Sequence, residues 1–161
     1  MVERVSDIGL GLLREWNITG IALDLDNTIV PWHTSDVVPE IAQWVRQVRE
    51  TGVRFCLLTN NYASNVRRVG AALDMPVVRG ALKPLPSAFS AALRQLRSEA
   101  SQSLSVGDQL FTDVLGAKAV GMRAIVVKPL TTRDFPTTRL LRMLEGPVYA
   151  RLRRTAGSAL A

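Results

Sequence analysis

One cysteine, one histidine and three lysines among 161 residues narrow the chemistry from the outset. The lone Cys56, set in the apolar run VRFCLLT, excludes a disulfide within the chain and a cysteine zinc site, and reads as a small core residue. With His33 alone and no Gly-x-Ser-x-Gly, nothing points to a serine triad; beside Trp32, this histidine reads as a solvent-facing loop residue. The pair Gly9 and Gly11 precedes the first strand-like run and lacks a third glycine, so it is no dinucleotide fingerprint, and no phosphate-binding P-loop is present. No uncharged run approaches the roughly 18 to 20 residues needed to span a bilayer. The start, MVERVSDIGLGLLREW, carries Glu3 and Asp7 without a long apolar stretch or a small-residue cleavage pattern, and is not read as a signal peptide. The expectation is a soluble, cytoplasmic chain that touches a membrane, if at all, from the inner surface.

What is present is globular. A composition of 47% hydrophobic and 21% charged residues excludes wholesale disorder, and the length suits one domain over residues 1–161 with a real core. The net charge of +6 is unevenly placed. From Lys128 onward seven basic residues (Lys128, Arg133, Arg139, Arg142, Arg151, Arg153 and Arg154) face Asp134 and Glu145, so nearly all of the excess lies in the last stretch. Two readings stand open: a solvated helical face with a basic end, or a surface for an anionic partner such as lipid headgroups or RNA.

Along the chain, short β-like runs alternate with longer helical ones. SDIGLGLLREW has helical spacing behind a Ser6 cap. A strand then ends at Asp24, and a helix, PEIAQWVRQVRET, opens on Pro39 and stops at Gly52. VRFCLL is a second strand, ASNVRRVGAAL a helix, PVVR a short third strand, PLPSAFSAALRQLR a helix that starts at its prolines, SLSV a fourth strand, TDVLGAKAV a helix and RAIVV a fifth strand. The alternation predicts an α/β fold, a five-stranded parallel sheet with helices on both faces. In such sheets ligands bind beyond the carboxyl ends of the strands, near a switch in strand order.

The polar residues sort themselves by that rule. Strand one ends in Asp24 and Asp26; strand two in Thr59, Asn60 and Asn61; Lys83 and Pro84 follow strand three; strand four runs into GDQLFTD with Asp108 and Asp113. Two carboxylates two positions apart, as in LDLDN, disfavour each other's ionisation unless a positive group lies near. Taken singly, Asp26 and Asn27 read equally well as a turn, Asp113 as a helix cap, and Asn61 mostly as a loop residue bonding its own backbone.

Together, DLDNT, the Thr59 of LLTNN, Lys83 with Pro84, and GDQLFTD resemble the four ordered motifs of the haloacid dehalogenase (HAD) superfamily of phosphohydrolases, over a core of about residues 18–128. DLDNTIVPW, TNN, ALKP and GDQLFTDVLGA, with a basic segment at 129–161, resemble its YqeG-like subfamily IIIA, related to the phosphatidylglycerophosphate phosphatases of mitochondria and plastids. The resemblance implies a Rossmann-like core and a Mg²⁺-dependent phosphomonoester hydrolase. In such an enzyme Asp24 attacks phosphorus, and Asp26 protonates the leaving group and binds the metal through its carbonyl. Asp108 is a direct metal ligand, with Asp113 acting more remotely or through water. Thr59, Asn60 and Lys83 hold the phosphoryl group, Lys83 also balancing charge. Asp24 belongs to the implied metal set with Asp26, Asp108 and Asp113; a hard Mg²⁺ prefers such oxygens and would neutralise the crowding of Asp24, Asp26 and Asp108.

For Asp24 and Asp26 to take different roles, the backbone must turn after Leu25, because a flat strand would point both side chains to one face. Neither the stretch after the first motif nor RGALKP leaves room for a cap domain. An open site suits a bulky substrate, an oligomer that caps itself, or a phospholipid headgroup such as phosphatidylglycerophosphate met at an anionic membrane. Alternatives are a soluble nucleotide or sugar phosphate as substrate and, in another class, a non-catalytic basic adaptor for RNA or ribosomes; the intact set of site residues counts against the adaptor and against nucleic acid as a partner.

Overall fold

The computed structural model describes residues 1–31 and 34–131; Trp32, His33 and residues 132–161, with the readings made for them, lie outside the described residues. Ten elements frame the fold: α1 (Leu10–Glu15), β1 (Gly20–Leu23), α2 (Pro39–Glu50), β2 (Arg54–Thr59), α3 (Asn65–Ala72), β3 (Val77–Arg79), α4 (Pro86–Leu96), β4 (Ser103–Gly107), α5 (Leu115–Ala119) and β5 (Arg123–Val126). The five strands form one sheet in the order β3-β2-β1-β4-β5, every pairing parallel. The chain winds outward from β1 through β2 to β3, then crosses to the other side of β1 for β4 and β5. The switch in order therefore falls between β1 and β4, which Asp24 and Asp108 directly follow.

Burial explains the layering. All of β1 is buried, as a central strand covered on both faces must be. On one face Ile21, Leu23, Phe55, Leu57, Leu104 and Val106 pack with Ile41, Trp44, Val45 and Val48 of α2 and with Val66 and Val69 of α3. The α2 residues recur at the spacing of a single helical stripe. Trp44 donates its Nε1–H to the Ile8 carbonyl at 2.8 Å and meets Phe55 edge to face at 5.7 Å, so the largest side chain of the stripe has its polar end satisfied. On the other face Ala22, Cys56 and Leu58 lie under Ala88, Phe89, Ala92 and Leu96 of α4 and Ala117 of α5. Cys56 is buried there as a core residue, its thiol pushed up to about 12 by burial.

One local expectation needs correction. No helix runs behind a Ser6 cap. Val5–Asp7 form a single 3-10 turn, and α1 begins only after Gly9, whose φ of −69° and ψ of 146° are extended. Val5, Ile8 and Leu13 are all buried, and the break at Gly9 lets each reach the core from a chain that one straight helix would carry away from it.

The connection from β1 to α2 occupies residues 24–38 and that from β3 to α4 residues 80–85. Neither holds a named helix or strand among its described residues, so the carboxyl edge of the sheet is built from short loops.

Candidate active site

Asp24 directly follows β1, and its N–H donates to the Val106 carbonyl at 2.8 Å, which ties it to β4. The chain then turns. The Leu25 carbonyl accepts from the N–H groups of Thr28, Ile29 and Val30, Asn27 takes a left-handed φ of 60°, and Asp26 bridges to Val30. This is the turn that the alternating Asp-Leu-Asp spacing requires. Leu25 goes into the core, Asp24 is 6% exposed, and Asp26 is half-buried at the edge.

Lys83 gathers the site. From the loop after β3 its Nζ lies 2.6 Å from Asp24 Oδ1 and 2.6 Å from Asp113 Oδ1, with all three side chains buried. Thr28 donates to the second oxygen of Asp24 at 3.2 Å, and the Gln109 N–H donates to the second oxygen of Asp113 at 3.1 Å. Asp113 is not the cap of a regular helix. It lies in a π-helical turn, Leu110–Val114, that precedes α5, a feature frequent at functional sites. Gly107 makes room: a Cβ there would overlap the carboxylate of Asp113.

Burial raises Asp24 from its ordinary value to about 7, with Asp113 and Asp26 adding to the rise and Lys83 opposing it. Burial alone would lower Lys83, but the carboxylates of Asp113 and Asp24 outweigh it and hold the ammonium above its usual range. Lys83 is thus a fixed positive charge and Asp24 a carboxylate whose ionisation depends on compensating charge.

Carboxylate oxygens of Asp24, Asp108 and Asp113 all lie within 4.8 Å of one another, and all three residues are buried. Three hard oxygen donors at that spacing fit a divalent cation such as Mg²⁺, and one lysine leaves them short of positive charge.

Two further contacts were less legible in advance. Asn61, read as a loop residue, does bond locally, its Oδ1 accepting from Ala63 N–H at 2.8 Å. Its Nδ2, however, donates to both oxygens of Asp26, at 3.2 and 3.0 Å, and so fixes that carboxylate. Asn60, expected at the phosphoryl group, spends its amide on Lys83: Oδ1 accepts from the Lys83 N–H at 2.7 Å and Nδ2 donates to the Lys83 carbonyl at 3.2 Å. Thr59, fully buried at the end of β2, accepts from the Asn61 N–H through Oγ1 at 3.0 Å. No spacing rule points from residue 61 to residue 26; only the closure of neighbouring strands brings them together.

The family model for haloacid dehalogenase-like hydrolases matches residues 24–121, a span from Asp24 past Asp113. The chain belongs to that family. Among curated proteins it is 34% identical over 153 residues to the probable phosphatase YqeG of Bacillus subtilis, covering 95% of this chain and 89% of that one. It is 43% identical over 102 residues to the glyceraldehyde 3-phosphate phosphatase of Pyrococcus abyssi, covering 56% of this chain and 42% of that enzyme, so it spans less than half of that relative's length. Among solved structures, the cobalt-bound deoxy-D-mannose-octulosonate 8-phosphate phosphatase of Haemophilus influenzae superposes with a TM-score of 0.58 at 18% identity, over 68% of each chain; this likeness speaks for the fold. The chain is a phosphatase of this hydrolase family, YqeG-like over nearly its whole length.

Proposed function

We propose that the enzyme hydrolyses phosphomonoesters in two displacements through Asp24, with Mg²⁺ as cofactor. The observation that carries this reading is the buried triangle in which Lys83 meets Asp24 and Asp113 at 2.6 Å each, at the switch between β1 and β4. In the first displacement an oxygen of Asp24 bonds to phosphorus as the ester P–O bond breaks, and Asp26 gives its proton to the departing oxygen. In the second, Asp26 takes a proton from water, whose oxygen bonds to phosphorus as the Asp24–phosphorus bond breaks. Phosphate leaves, Asp24 is again a free carboxylate and Asp26 again carries its proton. Lys83 holds Asp24 in place and balances charge on the phosphoryl oxygens. Asn61 keeps Asp26 aimed through both of its oxygens. Bound Mg²⁺, held by Asp24, Asp108 and the Asp26 carbonyl with Asp113 in support, would supply the positive charge that lets Asp24 ionise beside a phosphate dianion.

For the substrate we favour a phospholipid with a terminal phosphomonoester, phosphatidylglycerophosphate being the candidate. Support comes from the short loops at the carboxyl edge, which suit a bulky or membrane-held substrate, and from the basic sequence after Lys128. Among the described residues no helix is long and apolar enough to cross a membrane, so such a substrate would be met from outside the bilayer. A soluble sugar phosphate is the second reading, favoured by the Pyrococcus relative's named activity. Turnover of p-nitrophenyl phosphate, phosphatidylglycerophosphate and a panel of sugar phosphates and nucleotides separates these. Loss of all turnover with intact fold would remove the catalytic reading. Turnover of sugar phosphates with none of the lipid would remove the lipid.

A further inference from the structure

Five large apolar side chains stand well exposed among the described residues: Met1, Tyr62, Leu82, Leu85 and Leu115. Apart from the first residue, three of them, Tyr62, Leu82 and Leu85, lie in loops at the carboxyl edge of the sheet, and Leu115 opens α5 directly after the π-helical turn that carries Asp113. Tyr62 (65% exposed) follows Thr59 by three positions, Leu82 (58%) and Leu85 (50%) flank Lys83 and Pro84, and Leu115 (56%) follows Asp113 by two. Single exposed leucines need no explanation. Four large apolar side chains confined to the segments that carry or directly follow Thr59, Lys83 and Asp113 do.

Leu82 is the most telling of them. Its φ is +57°, in the left-handed region that suits glycine or asparagine and strains a bulky side chain. Being mostly exposed, the leucine recovers little from packing within the chain. Its carbonyl accepts from the Leu85 N–H at 3.0 Å, a turn that sets one leucine on each side of Lys83 and Pro84. Tyr62 is similarly fixed while exposed. Its ring fills the space where a Cβ on Gly80 would lie, and its hydroxyl donates to the Gly80 carbonyl at 3.2 Å.

Charge indicates what covers this edge. Arg79, exposed, donates to the Tyr62 carbonyl at 3.4 Å, and Lys118, also exposed, lies three positions after Leu115. At Thr131 the side chain donates to Asn27 Oδ1 at 2.7 Å, beside Asp26, and the sequence that follows carries six arginines against Asp134 and Glu145. An anionic bilayer complements both the exposed cations, Arg79 and Lys118, and the apolar side chains beside them.

We propose that the carboxyl edge of the sheet is itself the membrane-docking face, with Tyr62, Leu82, Leu85 and Leu115 entering the headgroup region of an anionic bilayer and bringing the catalytic cleft to a phosphomonoester presented there. This rests on the phospholipid reading above, and it assigns the apolar part of the contact to these four side chains rather than to the basic segment.

The test uses the full chain and vesicles of phosphatidylcholine with phosphatidylglycerol, which carry no phosphomonoester, so docking is measured apart from turnover. The combined variant Leu82→Asn and Leu115→Gln should partition to these vesicles at least about tenfold more weakly. The salt dependence should be unchanged because every charge is kept. Turnover of p-nitrophenyl phosphate should stay within about twofold and the melting temperature should not fall, since asparagine accepts the backbone of Leu82. Equal partition of variant and wild type, or no partition of wild type, overturns the proposal. So does a wild-type dimer in velocity sedimentation that the variant dissociates, which would make the occupant a second copy. Docking as expected with no turnover of phosphatidylglycerophosphate in vesicles or detergent micelles would leave the docking face standing and remove only the substrate.

Discussion

Replacing Asp24 by asparagine should abolish turnover and, in the absence of metal, stabilise the fold. The proposed nucleophile is lost because an amide cannot form the acyl phosphate, so activity toward p-nitrophenyl phosphate should drop below about one hundredth of wild type. The stability effect follows from burial. Asp24 moves from an ordinary 3.8 to about 7, chiefly because it is buried. The native state therefore holds that proton more tightly than the unfolded chain, and metal-free stability falls as pH rises from about 4 to about 7. A rise of about three units corresponds to at most about 4 kcal/mol at pH 8. The amide's NH₂ must also face one of the two donors now bonded to the carboxylate, Lys83 Nζ or Thr28 Oγ1, which takes back about 1 kcal/mol or more. A net gain of about 1–3 kcal/mol should raise the melting temperature by roughly 3–9 °C in a domain of this size. Calorimetry in EDTA at pH 8 and pH 5 checks it: by pH 5, where native Asp24 is already protonated, the gap should shrink by roughly half or more. An asparagine variant that melts below wild type at pH 8 in EDTA, or a gap that ignores pH, would refute the burial argument.

Further expectations follow from individual contacts. EDTA should silence the enzyme and Mg²⁺ restore it. Asp108→Ala should weaken Mg²⁺ binding, read by titration calorimetry, about tenfold more than Asp113→Ala, because both oxygens of Asp113 are already engaged, by Lys83 and by the Gln109 N–H. Equal affinities in the two variants would overturn that division. Gly107→Ala should displace the Asp113 carboxylate that its Cβ would overlap, costing about 1–3 kcal/mol in a denaturant melt and at least about tenfold in kcat. Asn61→Ala should lower kcat for an alkyl phosphate, roughly tenfold or more, but hardly for p-nitrophenyl phosphate, whose leaving group needs little protonation. Equal losses on both substrates would mean that Asn61 does something other than aim Asp26.

How much of this was legible beforehand follows from the range of each interaction. The sheet was readable because β1, β2 and β4 are short apolar runs and α2 and α4 carry their apolar residues at helical spacing behind Pro39 and Pro86. The break at Gly9 was not, because the periodicity of 6–16 is equally helical on paper and only the burial of Val5 and Ile8 decides it. Asp24, Asp26, Lys83, Asp108 and Asp113 could be placed at one edge because parallel topology forces every strand to deliver its next residues there. That rule fixes which residues meet and leaves open what each touches.

Partner choice within the site depends on distances that no spacing encodes. Asn60 and Asn61 are adjacent and chemically identical, yet one amide closes on the Lys83 backbone and the other on the Asp26 carboxylate. The reason lies in the strand order. β2 stands between β1 and β3, so the loop leaving it has the residue after β1 on one side and the residue after β3 on the other. Two neighbouring asparagines serve both because this loop runs between the two partners, with Lys83 within reach of Asn60 and Asp26 within reach of Asn61. The pair thus ties Asp26, the proposed acid, to the loop that carries Lys83. On the proposed mechanism a shift at either asparagine would move proton delivery and charge balance together, a coupling that the sequence neighbourhood of residue 61 does not announce.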